Sequence, residues 1–331
     1  MIPVCTHELK KSPKRTEGMA LLMALVMLAI ASSLAVGIWY NNQLSLARVN
    51  NIQKTYQAKH YSQGMLLWAS DILRQDYEQD EYNHDSSLDG WHQGIQGMVV
   101  EDAVLSGTLI GLNGRFNVNN LVINGVKQVP HIEYFKRLLL ALELDVNIAD
   151  KVVDWIDTDQ IPEPNGAEDF VYLAKSPAYQ TSGTHLKHIS ELRLIDGLGF
   201  EDYQRLSAYV SALPVRTTAT RMNVNAMPAV MLSALHPQIT NDMALRLYQE
   251  GRASYLNVDE FFSANPIQYI PVQSIKDTEI KPLISTQTLY LQASSLVQME
   301  DSGSVLYALL ERNANTGSAL VISRSMSPYL P

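Results

Sequence analysis

The longest pattern in the chain begins at Met19, where 22 residues, MALLMALVMLAIASSLAVGIWY, run without a charge; the next charged side chain is Arg48. A helix over 19–40 rises about 1.5 Å per residue and so spans roughly 30 Å, the thickness of a bilayer's hydrocarbon core. Trp39 and Tyr40 close the run where an interfacial aromatic anchor belongs. Beyond it the helical period continues with a polar face. Ile52, Tyr56, Leu66, Ala69 and Leu73 mark the apolar side, Gln, Lys, Glu and Asp fill the others, and no proline falls within 19–83. The pattern predicts one helix to about Tyr82, its first half in a membrane and its second half packed on a soluble sheet.

A polar, glycine-bearing loop is expected over 83–97. Strand-like runs come next at 98–104, 109–112 and 116–123, with Asn113-Gly114 as a tight-turn signal between the last two. From Pro130 to about Phe262 the pattern changes to short helices at 131–144, 147–155, 189–194, 200–213, 228–235, 241–249 and 258–262. Alternation returns at 288–297, 304–312 and 318–323. The expected fold class is therefore α+β: a sheet built from 41–124 and 284–331, carrying a large all-α insert over 125–283. Asn117-Val-Asn119 and Asn223-Val-Asn225 each precede an apolar helix, an Asn-bearing turn and a second helix, which suggests two related halves in the insert.

Charge and cysteine content narrow the setting. The formal charge is −9, and the segment 1–18 holds four basic and two acidic residues, leaving about −11 on the rest. Such a chain repels nucleic acid and suits cations or basic partners. Lys10, Lys11, Lys14 and Arg15 precede the apolar run, which argues for a cytoplasmic N-terminus and translocation of the chain beyond the run. The one cysteine is Cys5, so the remainder of this sequence has no disulfide to staple a loop-rich region.

The strongest local chemistry lies in DWIDTDQIPEPNGAED, 154–169, with Asp154, Asp157, Asp159, Glu163, Glu168 and Asp169 in 16 residues and no Lys or Arg between Lys151 and Lys175. Carboxylates so crowded repel one another, and a Pro/Gly loop lacks helical hydrogen bonds to hold them. A hard divalent cation cures both, and Ca²⁺ takes six to eight oxygens. Asp157, Asp159 and Glu168 fall at positions 1, 3 and 12 of an EF-hand loop, but Ile161 and Pro162 stand where an acidic ligand and glycine belong. The candidate ligands are Asp154, Asp157, Asp159, Glu168 and Asp169, in an irregular calcium loop; a solvated acidic loop is the alternative. The stretch 191–199, ELRLIDGLG, has the shape of a helix-hairpin-helix turn, yet Asp196, Glu201 and Asp202 give it the wrong sign for phosphate. His185 and His188 lack companion ligands at zinc spacing and read as helix-start residues. The sequence holds no Ser-centred elbow, P-loop or dinucleotide fingerprint.

The basic leader running into Gly18-Met19, the apolar helix, the absence of an acid at Met23, LNGRFNVNNL over 112–121, the DWIDTD…GAED loop and the 191–199 turn together resemble the minor pseudopilin K family of type II secretion. The resemblance covers essentially the whole chain. It implies a pilin-like fold with helix-hairpin-helix-like, or SAM-like, insert halves, and a single-pass inner-membrane protein with its bulk in the periplasm. It implies cleavage by a prepilin peptidase between Gly18 and Met19, with methylation of the new terminus. Residues 1–18 are then the leader and 19–40 the membrane helix. The implied role is non-catalytic: capping and initiating the pseudopilus beside the minor pseudopilins I and J, in contact with other pseudopilins and the inner-membrane platform, with no nucleic acid bound. A membrane-anchored periplasmic hydrolase and a DNA-binding helix-hairpin-helix protein are the alternatives. The leader reading makes one test direct: Gly18→Val should block processing, because a branched side chain crowds the scissile backbone, and N-terminal sequencing of the membrane-extracted protein reads the outcome.

Overall fold

The computed structural model describes residues 17–80, 83–215, 217–270, 276–300 and 302–327. The expected leader lies outside them except for Glu17 and Gly18. The chain forms two compact units, Met1–Gln57 and Ala58–Pro331. A continuous helix α1, Glu17–Gln79, runs through the first and into the second. In the first unit its apolar side chains lie in the open, and among the described residues this helix alone is long and apolar enough to cross a membrane.

In the second unit the elements run in order. After the loop come β1 (Ile95–Val100) and β2 (Ala103–Gly111), then short strands β3 (Phe116–Asn117), β4 (Val122–Ile123) and β5 (Val126–Lys127). Helices α2 (Val129–Ala141), α3 (Ile148–Ile156), α4 (Asp169–Tyr172) and α5 (Phe200–Ser207) lead to β6 (Val210–Ser211) and β7 (Met222–Asn223). Helices α6 (Ala229–Ser233), α7 (Asn241–Tyr248) and α8 (Val258–Ser263) precede β8 (Ile284–Ser285), β9 (Tyr290–Met299), β10 (Ser302–Arg312) and β11 (Ala319–Ser325). The main sheet has the order β1-β2-β9-β10-β11 with every pair antiparallel, so both ends of the chain build it. Leu66, Ala69 and Leu73 of α1 pack on Leu109, Leu291, Ala293, Ala308 and Leu310. Ala58 and Met65 pack on Ala103, Leu105, Val297 and Met299. These inward positions alternate along each strand, as a half-buried sheet requires.

The insert has its own core, from Phe116 to Ile284, with Tyr134, Phe135, Leu138, Leu139, Met231 and Phe261 fully buried. It therefore begins before residue 125 and ends slightly past 283. Asn113-Gly114 is not a hairpin turn. Asn113 donates through Nδ2 to Arg221 O and accepts through Oδ1 from the amides of Leu289 and Tyr290, so it clamps the point where the chain leaves the sheet. A Cβ on Gly114 would meet the Ala226 carbonyl oxygen at 2.6 Å, which leaves room only for glycine. The run 98–104 is two strands, turned at Glu101 with φ 53° and tied by Tyr61 Oη donating to Glu101 at 2.8 Å. Glutamate in that backbone region gives no turn signal in sequence. The run 116–123 is two strand fragments around a single 3₁₀ turn, and α5 stops at Ser207 because Val210 and Ser211 pair in parallel with β3.

Both Asn-x-Asn segments do the same work. Asn117 Oδ1 accepts from the Asn119 amide, and Asn119 grips Leu186 through both its amide and its carbonyl. Asn223 Oδ1 accepts from the Asn225 amide, and Asn225 grips Tyr255 in the same two ways. Two residues beyond each gripped residue stands a cap, His188 or Asn257. Three further on stands a glutamate, Glu191 or Glu260, that folds back on the preceding backbone. Each half closes with a two-residue parallel pair, β3 with β6 and β7 with β8.

The insert, the sheet and α1 meet at one buried ion pair. Arg312 Nη1 lies 2.6 Å from Asp85 Oδ1, and its Nη2 reaches Asp76 at 3.0 Å and the Leu73 carbonyl at 2.9 Å. Asp85 also accepts the Thr288 amide, and its backbone carbonyl accepts from Asn223 and Asn225. Burial holds the carboxyls of Asp85 and Asp76 above their ordinary values, Asp76 at about 6, against the opposing pull of Arg312. Arg312→Met would leave the buried Asp85 and the partly buried Asp76 without their cation. Breaking a pair of this kind costs about 3–5 kcal/mol; a urea midpoint unchanged in the variant would contradict the assignment.

Candidate metal centre

The acidic loop starts where α3 stops. Ile148, Val152, Val153, Trp155 and Ile156 bury α3 in the insert core, and Asp157 caps its end with extended backbone. The chain then runs through Asp159, whose Oδ1 accepts the Ile161 amide at 2.8 Å, to a turn at Glu163–Gly166 and into α4. This path brings together Asp157, Asp159 and Glu168, whose oxygens lie within 4.8 Å of one another. They are the residues at EF-hand positions 1, 3 and 12.

The other two expected ligands serve the loop instead. Asp154 is fully buried and accepts the Glu163 amide, at 3.1 Å to Oδ1 and 3.3 Å to Oδ2. Its Oδ2 also occupies the space a Cβ on residue 166 would need, which explains Gly166. Asp169 turns away: its carboxylate accepts from Thr181 N at 2.8 Å, Thr181 Oγ1 at 2.9 Å and Gln180 Nε2 at 3.0 Å. Its adjacency to Glu168 in sequence is undone by the start of α4, which points neighbouring side chains in different directions.

Within the cluster the electrostatics are unfavourable. Asp157 is 5% exposed and Glu168 1%, and among the described residues none of their four carboxylate oxygens accepts a hydrogen bond. Among the described residues the cation at hand is Lys127, 3.4 Å from Asp157 Oδ2 and paired also with Glu163. Burial, then the charges of Asp154, Asp157, Asp159 and Asp169, push Glu168 up to about 7. Burial and the neighbouring Asp159 raise Asp157, with Lys127 opposing; burial raises Asp154 to about 6 against its backbone hydrogen bonds. The buried Asp157 and Glu168 carboxylates converging with exposed Asp159 fit a hard cation, and the oxygen-only donor set suits Ca²⁺ over softer metals. Asp157, Asp159 and Glu168 would hold it, and it would neutralise their charge. Sequence reasoning missed Lys127, because β5 brings it from outside the loop.

The remaining candidates are structural. Asp196 is bound by Lys151 at 2.8 Å and Lys175 at 2.9 Å, which hold its carboxyl below the ordinary range, and Gly197 takes φ +79° above the Lys151 ammonium. The turn at 191–199 is thus closed by the chain's own lysines. His185 bonds the Val122 carbonyl at 2.7 Å, and His188 caps the 3₁₀ turn at Ile189–Leu194.

The family model for type II secretion system protein K matches residues 114–215, which include this loop. Type II secretion system protein K of Pectobacterium carotovorum subsp. carotovorum is 31% identical over 241 residues, 70% of this chain and 73% of that protein. This chain belongs to the type II secretion system protein K family. The similarity extends nearly end to end with the Pseudomonas aeruginosa member, 29% identical over 319 residues, 93% of this chain and 92% of the relative. A chain in the crystal structure of the GspK-GspI-GspJ complex from enterotoxigenic Escherichia coli has the same fold, with a TM-score of 0.70 at 21% identity, over 84% of this chain and 98% of that one.

If the cluster binds calcium, a concentration of 100 times Kd should stabilise the protein by about 2.7 kcal/mol. Glu168→Gln should abolish that gain while raising the melting temperature of the chelated protein, since it removes an orphaned charge. Asp169→Asn should keep the calcium response. A melting temperature indifferent to both chelator and calcium would exclude the site.

Proposed function

We propose that this chain is the minor pseudopilin at the tip of the type II secretion pseudopilus, capping the fibre and initiating its assembly. The observation that carries the reading is where the insert is attached. The strands β2 and β9 pair from Ala103↔Met299 to Gly111↔Leu291. The insert leaves after Gly111 and returns before Tyr290, at one end of the sheet. That end holds Leu73 and Asp76, the last part of α1, through Arg312. The opposite end holds Ala58 and Tyr61, where α1 enters the folded unit. A subunit stacked on the first end would meet the insert. Such a domain suits the uppermost position, where nothing is added above.

The membrane helix supports the same position. With cleavage after Gly18, the fifth residue is Met23, apolar and exposed. A carboxylate there without a partner would cost about 2.5–3.5 kcal/mol on insertion scales for the comparable aspartate; methionine removes that cost for a subunit with no neighbour ahead of it. The bulk of the chain would then lie in the periplasm. The paired Asn-x-Asn clamps support a reading of the insert as two related, SAM-like halves, and the carboxylate cluster a structural Ca²⁺ in the first. This role asks for surfaces and stability rather than turnover.

The partners by this reading are the minor pseudopilins I and J; the relative of the same fold was crystallised as a GspK-GspI-GspJ complex. The purified soluble regions of the three proteins should sediment as one complex with a single copy of each. Joining Gly111 to Tyr290 in place of the insert should retain the complex and release the block on addition. A complex that is absent, or that depends on the insert alone, would contradict the proposal.

A further inference from the structure

Just beyond the end of α1, side chains from two distant parts of the chain line up. His84 Nδ1 lies 2.9 Å from Asp80 Oδ2, and the same oxygen accepts the His84 backbone amide at 2.6 Å. On the other side of the ring, His84 Nε2 lies 3.0 Å from Ser254 Oγ. With the ring proton on Nδ1, directed at Asp80, Nε2 is left to accept from the Ser254 hydroxyl. Two donors from one residue onto one oxygen fix the ring's orientation. The order hydroxyl, imidazole, carboxylate is that of an activated serine nucleophile, whose members are recognised by geometry and role rather than by place in the sequence.

The surroundings fit chemistry at Ser254. Its side chain and that of His84 are partly exposed, His84 at 15%. Three to five residues ahead, where α7 ends, Gln249, Glu250 and Gly251 have φ of 50°, 56° and 83° in succession. Two non-glycine residues in the left-handed region are costly, and backbone of this kind collects at functional turns. Ser87 Oγ donates to the Gly251 carbonyl at 2.6 Å, tying that turn to the loop that carries His84.

We propose that Ser254 and His84, positioned by Asp80, form an acyl-transfer site for short carboxylic esters, separate from the assembly role. The Ser254 oxygen forms a bond to the ester carbonyl carbon as its proton passes to His84 Nε2. The tetrahedral centre collapses with cleavage of the ester C–O bond, and the leaving alkoxide takes the proton from His84. Water, deprotonated by the same nitrogen, then releases the acid and restores the serine. A half-exposed hydroxyl at a surface joint suits a short acyl chain. Nothing in the step needs a cofactor.

The test uses the full-length protein in detergent with a fluorophosphonate probe, which loses fluoride to an activated serine hydroxyl. Mass spectrometry of the wild type should place the adduct on Ser254. Ser254→Ala should abolish labelling, and His84→Gln should slow it by at least about 100-fold, a modest share of what loss of a triad member costs. Asp80→Asn should slow it as well, with Asp80→Glu restoring part of the rate; a purely structural carboxylate would show no such rescue at equal melting temperature. Wild type unlabelled beside a serine hydrolase that labels, or an adduct on any other residue, overturns the proposal without reference to whether the variants fold. Complex formation with the I and J subunits should be unaffected by Ser254→Ala.

Discussion

The joint between the pilin-like part and its insert depends on one buried charge. Asp85 sits between Arg312 of β10, the Thr288 amide at the entry to β9, and the Asn223 and Asn225 side chains that open the second half of the insert. Arg312 in turn holds Asp76 and the Leu73 carbonyl of α1. A pair so desolvated contributes little net energy compared with an apolar replacement, but removing one member is expensive. Its value lies in specifying geometry. Apolar contacts between α1 and the sheet could slide; a guanidinium fork on two carboxylates and a carbonyl cannot slide without leaving charges unpaired.

From that joint the insert is built by repetition. Each half uses an asparagine pair to grip one distant residue by both backbone groups, and each gripped residue is succeeded at equal spacing by a helix cap and a glutamate that closes it. Buried amides that satisfy backbone donors and acceptors replace the cross-links that a chain without disulfides lacks. The first half differs in one respect: 67 residues separate Asn119 from Leu186, against 30 from Asn225 to Tyr255. The acidic loop lies in that longer interval. A cation there would supply the cohesion that the loop's own backbone does not.

This body is attached at one end of the sheet, where the chain leaves after Gly111 and returns before Tyr290. Lateral contacts in a pilin-like assembly need α1 and the sheet faces, and both are left to the pilin-like part. The insert occupies the end at which α1 terminates, so under the proposed tip role association with neighbours and refusal of a further subunit would fall to different parts of the same chain.

The sequence by itself determined much of this. Period and charge marked α1, most helices of the insert and the three C-terminal strands to within a few residues, because amphipathic periodicity is a local property; they ran α5 six residues past Ser207 and missed α4. The EF-hand count placed Asp157, Asp159 and Glu168 at positions 1, 3 and 12, while the expected ligand set also held Asp154 and Asp169. The family resemblance was likewise legible in local motifs. What the tertiary structure decided was every choice that depends on a distant partner. Glu101 turns because β1 and β2 must pair under Tyr61, and Asn113 clamps rather than turns because Leu289 and Tyr290 lie beside it. Asp169 leaves the cluster for Thr181, and Lys127 joins it from β5. Asp80, His84 and Ser254 align across 170 residues of separation from His84 to Ser254. No local pattern encodes such contacts, because each is selected by the free energy of packing and of satisfied hydrogen bonds in the assembled core.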